Sequence, residues 1–119
     1  MVDKEVGYKR LIIWQKADEF AFEIYKATKG FPKEETYGII SQIRRASLSV
    51  ALNIAEGYGR QGRKELKQFI NMSLGSLSEV RYLLEFSFKL GYFNQEKFSE
   101  LEKFGEENGR VLWKFYKSL

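Results

Sequence analysis

Apolar side chains recur every three to four positions along most of this chain, the spacing that lines one face of a helix. Across residues 11–29, Trp14, Ala17, Ala21, Ile24 and Thr28 keep that rhythm, and Ile13, Phe20 and Ala27 widen the face. Gly30-Phe31-Pro32 then ends the helix: Gly30 suits a left-handed C-terminal turn and Pro32 cannot continue the ladder. A second helix is predicted from about Glu35 to Glu56 on Ile40, Ile43, Ser47, Val50 and Ile54. Its other faces carry Ala46, Ser49, Ala51 and Ala55, small enough to let a neighbouring helix approach closely. Asn53 stands beside the apolar stripe and needs partners if buried.

Gly57-Tyr58-Gly59-Arg60-Gln61-Gly62 interrupts the pattern. Its G-x-G-x-x-G spacing matches a dinucleotide-binding loop, but that reading requires a preceding strand, and a helix precedes it here. The loop instead delivers Arg60, Arg63 and Lys64 to the start of the next helix, where unbonded backbone N–H groups favour anions. The third helix, about Lys64 to Leu90, carries Leu66, Ile70, Ser73, Leu77, Val80, Leu84 and Ser87, and Gly91 closes it. Asn94 is the expected N-cap of a fourth, on Leu101, Phe104, Asn108, Val111 and Phe115. Four amphipathic helices with short connections predict an all-α, up-and-down four-helix bundle over residues 11–119, after an N-terminal extension of residues 1–10.

Composition narrows the chemistry. The 119 residues contain no cysteine and no histidine. This removes disulfides, thiol and Ser-His-Asp nucleophile sites, and the Glu-x-x-His pairs of di-iron bundles. No metal and no cofactor are expected. Serines are abundant but stand where packed helices need small residues. An enzyme holding a small anion with Arg44, Arg45 and Glu56 has none of the expected spacing, so the protein is read as a non-enzyme. No apolar run has signal-peptide or transmembrane length, and a bacterial or other cytoplasmic setting without membrane attachment is the expectation. Phe, Tyr and Trp make up 16% of the chain, more than a thin bundle hides. Tyr82, Phe86, Phe98, Trp113 and Tyr116 fall partly outside the core stripes and point to a subunit interface.

The net charge is +4 but unevenly placed: +4 over residues 44–67, −3 over 92–109 and +3 over the last ten residues. Adjacent on a helix, Arg44 and Arg45 point about 100° apart. One is expected beside the core, bonded to carbonyls or a carboxylate, and the other reaches outward. Glu56 lies too far along the same helix to pair with either. Arg60, Arg63, Lys64 and Lys67 fall on one side if the helix begins near Arg60, which makes them the candidate phosphate contacts, with Arg45 in addition. Tyr58 beside them could stack on a base.

Ser41-Gln42-Ile43-Arg44-Arg45-Ala46, followed by Asn53-Ile54-Ala55-Glu56-Gly57, resembles the signature of the bacterial four-helix-bundle proteins encoded within 23S ribosomal RNA intervening sequences. Trp14-Gln15-Lys16-Ala17, Phe31-Pro32-Lys33-Glu34-Glu35, Phe69, Leu74-Gly75-Ser76-Leu77, Glu79 and Leu90-Gly91-Tyr92 extend the similarity over roughly residues 11–116. Many relatives have proline where Ala51 stands, which implies a straighter second helix here. The resemblance implies a left-handed bundle, a ring-like homopentamer and kinship with the basic accessory proteins of diversity-generating retroelements. Partners expected on this basis are nucleic acid, RNA first, and a protein such as a reverse transcriptase. Two functions follow: a homo-oligomer binding structured RNA through its basic surface, or a protein-binding scaffold serving a nucleic-acid enzyme.

Overall fold

The structure, a computed structural model, describes residues 7–119. Four helices follow one another: α1 (Ile12–Thr28), α2 (Ile39–Tyr58), α3 (Arg63–Lys89) and α4 (Gln95–Lys117). Each packs on the next, and α4 returns to α1, while diagonal pairs stay apart. With connections this short, neighbours run antiparallel, and the result is an up-and-down four-helix bundle. Among the described residues there is no strand, and no helix is long and apolar enough to cross a membrane.

The core is the set of stripes read from the sequence. Phe20 and Ile24 of α1, Ile43 and Ile54 of α2, Ile70 and Leu84 of α3, and Leu101 and Leu112 of α4 are all essentially inaccessible. Each such side chain contributes about 1.5–3 kcal/mol by leaving water. The small residues of α2 place it closest to α3. The Ser49 and Ser76 hydroxyls meet at 2.9 Å, and the Ser73 hydroxyl donates to the Val50 carbonyl at 2.8 Å. Near the end of this seam Gly57 is buried, and a Cβ there would fall 2.7 Å from Phe69 Cβ.

Helix ends show where local signals prevailed. α3 closes in a Schellman turn: Gly91 takes φ +81°, the Gly91 N–H bonds the Phe88 carbonyl, and the Tyr92 N–H bonds the Ser87 carbonyl. Asn94 caps α4, accepting the Lys97 N–H at 2.8 Å. Gly30, by contrast, does not take the left-handed turn expected of it. The last carbonyls of α1 are satisfied otherwise: the Thr28 hydroxyl reaches the Ile24 carbonyl, and the Arg44 guanidinium reaches that of Tyr25. The second helix also begins four residues later than expected. Lys33–Glu35 form a 3-10 turn, and the Glu35 carboxylate accepts the N–H of Ile39, the first residue of α2. From there α2 runs unbroken past Ala51 to Tyr58.

Of the ten residues set apart as an extension, 1–6 lie outside the described part. Gly7–Arg10 form a 3-10 turn against α1 and α2, with Tyr8 edge-on to Trp14 and the Lys9 carbonyl bound by Gln15. These four residues pack on the bundle. Of the aromatics placed partly outside the core stripes, Phe98 is half-buried and stacks on Phe88 at 4.5 Å. Tyr116 is half-buried, whereas Tyr82, Phe86 and Trp113 are exposed.

Candidate nucleic-acid interface

The antiparallel register brings together three segments that are far apart in sequence. The start of α1, the end of α2, the start of α3 and the end of α4 share one end of the bundle. Lys9 and Arg10 arrive there from the 3-10 turn, Arg60 from the α2–α3 turn, Arg63, Lys64 and Lys67 from α3, and Arg110, Lys114 and Lys117 from α4. Specific contacts fix the meeting. The Arg10 guanidinium reaches the Tyr58 hydroxyl at 3.5 Å, Arg63 donates to the Ser118 carbonyl at 3.4 Å, and the Lys67 ammonium lies 4.9 Å from the centre of the Tyr116 ring. Glu56 and Glu65 are the carboxylates in the same stretch of α2 and α3.

The helix beginning at this end leaves its first N–H groups free of side-chain caps. Gly62, at φ +99°, stands at the N-cap and has no side chain to offer. Free N–H groups and the positive end of the helix dipole add to the charge of Arg63 and Lys64. α2 runs two residues further than expected, to Tyr58, and the four-residue connection 59–62 presents an anion-attracting helix start between two helices, not a strand-borne nucleotide cradle.

The four candidate cations are not equivalent. α3 begins at Arg63, so Arg60 does not continue its face. It turns back to Glu56 at 2.7 Å and covers the Phe69 ring at 5.1 Å. Such an exposed pair is worth about 0–1 kcal/mol and yields readily to a phosphate. Lys64 is exposed and has no hydrogen-bond or ion-pair partner among the described residues. Arg45 is not with them: it stands four turns earlier on α2, about 20 Å along the helix. There it lines a groove of about 380 Å³ with Ser41, Gln42, Ser49, Ser76 and Glu79. Lys114 and Lys117 were not singled out in the sequence. The signal for them was the up-and-down topology itself, which lays the end of the fourth helix beside the start of the third.

Of the motif residues, Arg44, Asn53 and Gly57 take part in the packing of helices. Arg44 donates to the Thr28 hydroxyl at 2.8 Å and the Tyr25 carbonyl at 3.1 Å, with its guanidinium 4.6 Å from the Tyr25 ring centre. It is the inward member of the arginine pair, and Arg45 is the exposed one. Asn53 finds its partners in Ser49, whose carbonyl and hydroxyl it binds at 2.9 and 3.1 Å. The chain Asn53–Ser49–Ser76 therefore crosses from α2 to α3.

Opposite charge collects elsewhere. Glu96, Glu100 and Glu107, with Ser99, Lys103 and Phe104, line an open trough of about 560 Å³ on α4. Lys16 of α1 binds Glu107 at 2.9 Å and, with its hydrogen bond, holds that carboxyl below its ordinary range. The two ends of α4 thus carry opposite signs.

A helical bundle with one basic end and a polar α2–α3 seam is the class that these features define. The chain belongs to the family of 23S rRNA-intervening sequence proteins, whose model matches residues 9–114. No curated protein matches it in sequence. Among solved structures, it is similar to a protein of unknown function from the S23 ribosomal protein family of Bacteroides thetaiotaomicron, a crystal structure at 1.70 Å. The two are 25% identical with a TM-score of 0.80, over 89% of this chain and 99% of the other.

Proposed function

We propose that this protein is a non-enzymatic, homo-oligomeric bundle of the bacterial cytoplasm that binds structured RNA through its basic end. The observation that supports this most is the convergence of cations from three separate segments around the uncapped start of α3. Phosphate contacts of this kind release counterions and supply most of the affinity in non-specific binding. The proposed assembly is a ring-like homopentamer of left-handed bundles. Its subunits would meet through exposed aromatics of α3, where Tyr82 and Phe86 stack at 6.1 Å with Tyr82 60% accessible. Five copies multiply the chain's +4 to about +20, so weak single contacts combine.

The test is fluorescence anisotropy of a labelled structured RNA across a salt series. Affinity should fall with a log–log slope of about 0.7–0.9 per phosphate contacted. The double reversal Arg63→Glu/Lys64→Glu should weaken binding and leave the circular-dichroism melt in place. Unaltered binding would remove the assignment.

A second reading has its own support in the acidic α4 trough. There the protein serves as an accessory subunit, docking a basic surface of a nucleic-acid enzyme such as a reverse transcriptase. Capture of such an enzyme that survives nuclease treatment, and is lost in Glu100→Lys/Glu107→Lys, separates this from RNA-bridged association.

A further inference from the structure

Beyond the basic end, along the α3–α4 seam, Arg81 occupies an unusual position. Its side chain runs over two glycines of α4. A Cβ at Gly105 would lie 3.2 Å from Arg81 Cγ and 3.3 Å from its Cδ, and one at Gly109 would lie 3.6 Å from Nη1. The missing side chain at Gly105 makes room for the arginine stem, and at Gly109 the guanidinium lies within van der Waals reach. Arg10, Arg44, Arg60 and Arg63 have hydrogen-bond or ion-pair partners, whereas Arg45 and Arg110, without one among the described residues, stand exposed. Arg81 has no hydrogen bond or ion pair among the described residues. A guanidinium held by packing but not by a counter-charge is ready to accept an anion, with little side-chain freedom left to lose.

The trough it enters has a volume of about 410 Å³ and is lined by Asn71, Ser78 and Trp113 as well as Arg81, with no carboxylate among its walls. Trp113 is half exposed and stacks on Tyr116 with centroids 5.4 Å apart and planes within 15°. Cations flank the two rings: Lys117 is 5.9 Å from the Trp113 centre and Lys67 is 4.9 Å from the Tyr116 centre. An apolar peptide would have to leave these charges unmatched. An anion bearing a flat aromatic group satisfies all of them at once, taking the indole face, the guanidinium fork and the amide and hydroxyl donors.

We infer that the Arg81–Trp113 trough is a subsite for one unpaired nucleotide of a bound RNA, its base stacked on Trp113 and its phosphate held by Arg81. The inference rests on the proposed RNA binding and adds what the basic end lacks, a preference for unpaired positions. A base within a duplex keeps both faces stacked on its neighbours and has none to offer to Trp113. The trough adjoins the basic end through Lys67 and Tyr116, so a strand leaving a paired region on the cations can enter it.

The test compares a blunt RNA duplex with the same duplex carrying an unpaired overhang, using the full chain by anisotropy at one salt concentration. The overhang should tighten binding about tenfold or more, the usual reach of one base on an aromatic ring. Trp113→Ala and Arg81→Ala should each erase that gain and keep the affinity for blunt duplex, while Trp113→Tyr retains much of it. In a Trp14→Phe background, where Trp113 is the remaining tryptophan, the overhang should quench the emission and the blunt duplex should not. Equal affinity for both probes overturns the subsite and leaves RNA binding by the basic end standing. Binding of neither probe overturns both. An absent quench together with a lower light-scattering mass for Trp113→Ala assigns the indole to a contact between copies, and also overturns the subsite. Should Trp113→Ala unfold the chain, the Arg81→Ala and Trp113→Tyr comparisons decide.

Discussion

The phenolic O–H of Tyr92 donates a 2.7 Å hydrogen bond to one carboxylate oxygen of Glu35, and the other oxygen accepts the N–H of Ile39 at 3.1 Å. One side chain therefore caps the start of α2 and ties it to the turn between α3 and α4. The Tyr92 bond, then the Ile39 bond, hold the Glu35 carboxyl below its usual value of 4.5. The same Glu35 contact, with desolvation added, pushes the Tyr92 hydroxyl up to about 12.

The pH dependence follows in sign. A depressed carboxyl contributes stability above pH 4.5 that is lost as the pH falls through its lower folded value. A raised phenol contributes stability below pH 10 that is lost as the pH climbs towards 12. Both describe one hydrogen bond, counted once. Tyr92→Phe should lower the melting temperature at neutral pH and flatten its decline at both extremes. A variant whose melting temperature tracks the parent's across the whole pH range would show that the bond contributes nothing.

Gly57→Ala tests the closest approach of α2 and α3. Its Cβ would meet Phe69 Cβ at 2.7 Å and Leu66 Cδ1 at 3.1 Å, so the seam must open. Overpacking of this kind costs about 1–3 kcal/mol, against roughly 1 kcal/mol regained from helix propensity. Net destabilisation is expected in urea denaturation, and a midpoint equal to the parent's would show that the seam opens without cost.

The adjacent arginines should separate cleanly. Arg44→Ala removes bonds to Thr28 and Tyr25 and uncovers the last turn of α1, at a cost of about 1–3 kcal/mol. Arg45→Ala touches an exposed side chain and should stay within about 0.5 kcal/mol. Equal melts for the two variants would contradict the division between inward and outward arginine.

Lys114→Glu/Lys117→Glu should weaken RNA binding as Arg63→Glu/Lys64→Glu does, although the two pairs lie some fifty residues apart. For every phosphate that the variant no longer neutralises, the salt slope should fall by about 0.7–0.9. An unchanged slope would place α4 outside the RNA-binding surface.

Tyr82→Glu with Phe86→Glu should leave the helical signal intact, because both rings are on the surface. The expected change is in mass by light scattering, from an oligomer to a monomer. A parent protein that is already monomeric at micromolar concentration refutes the assembly.

The helices and the core were legible because burial imposes a 3.6-residue period on the sequence itself. The stripe Ile43, Ser47, Val50, Ile54 reappears as the buried face of α2. Asn94 and Gly91 were legible for a related reason, since each acts on backbone within a few residues of itself. The start of α2 was not, because its cap depends on Glu35 being steadied by Tyr92, fifty-seven residues away. Gly30 misled for a like reason: α1 closes with the Lys29 N–H on the Lys26 carbonyl, and the neighbouring Tyr25 carbonyl is taken by Arg44 from another helix. At the candidate site, charge runs were visible one at a time. That Lys67 would lie over Tyr116, or Arg81 over Gly105 and Gly109, required the register of α3 against α4, which no local pattern contains.

The basic end is a composite, and this has a temporal consequence. A ribosome delivers Lys9 and Arg10 first, Arg60 to Lys67 midway and Arg110 to Lys117 last. Until the fourth helix is synthesised and docked, the seat of Lys67 on Tyr116 and the carbonyl that receives Arg63 do not exist. A half-made chain is therefore basic without being organised, and the surface takes its final form only once α4 has docked.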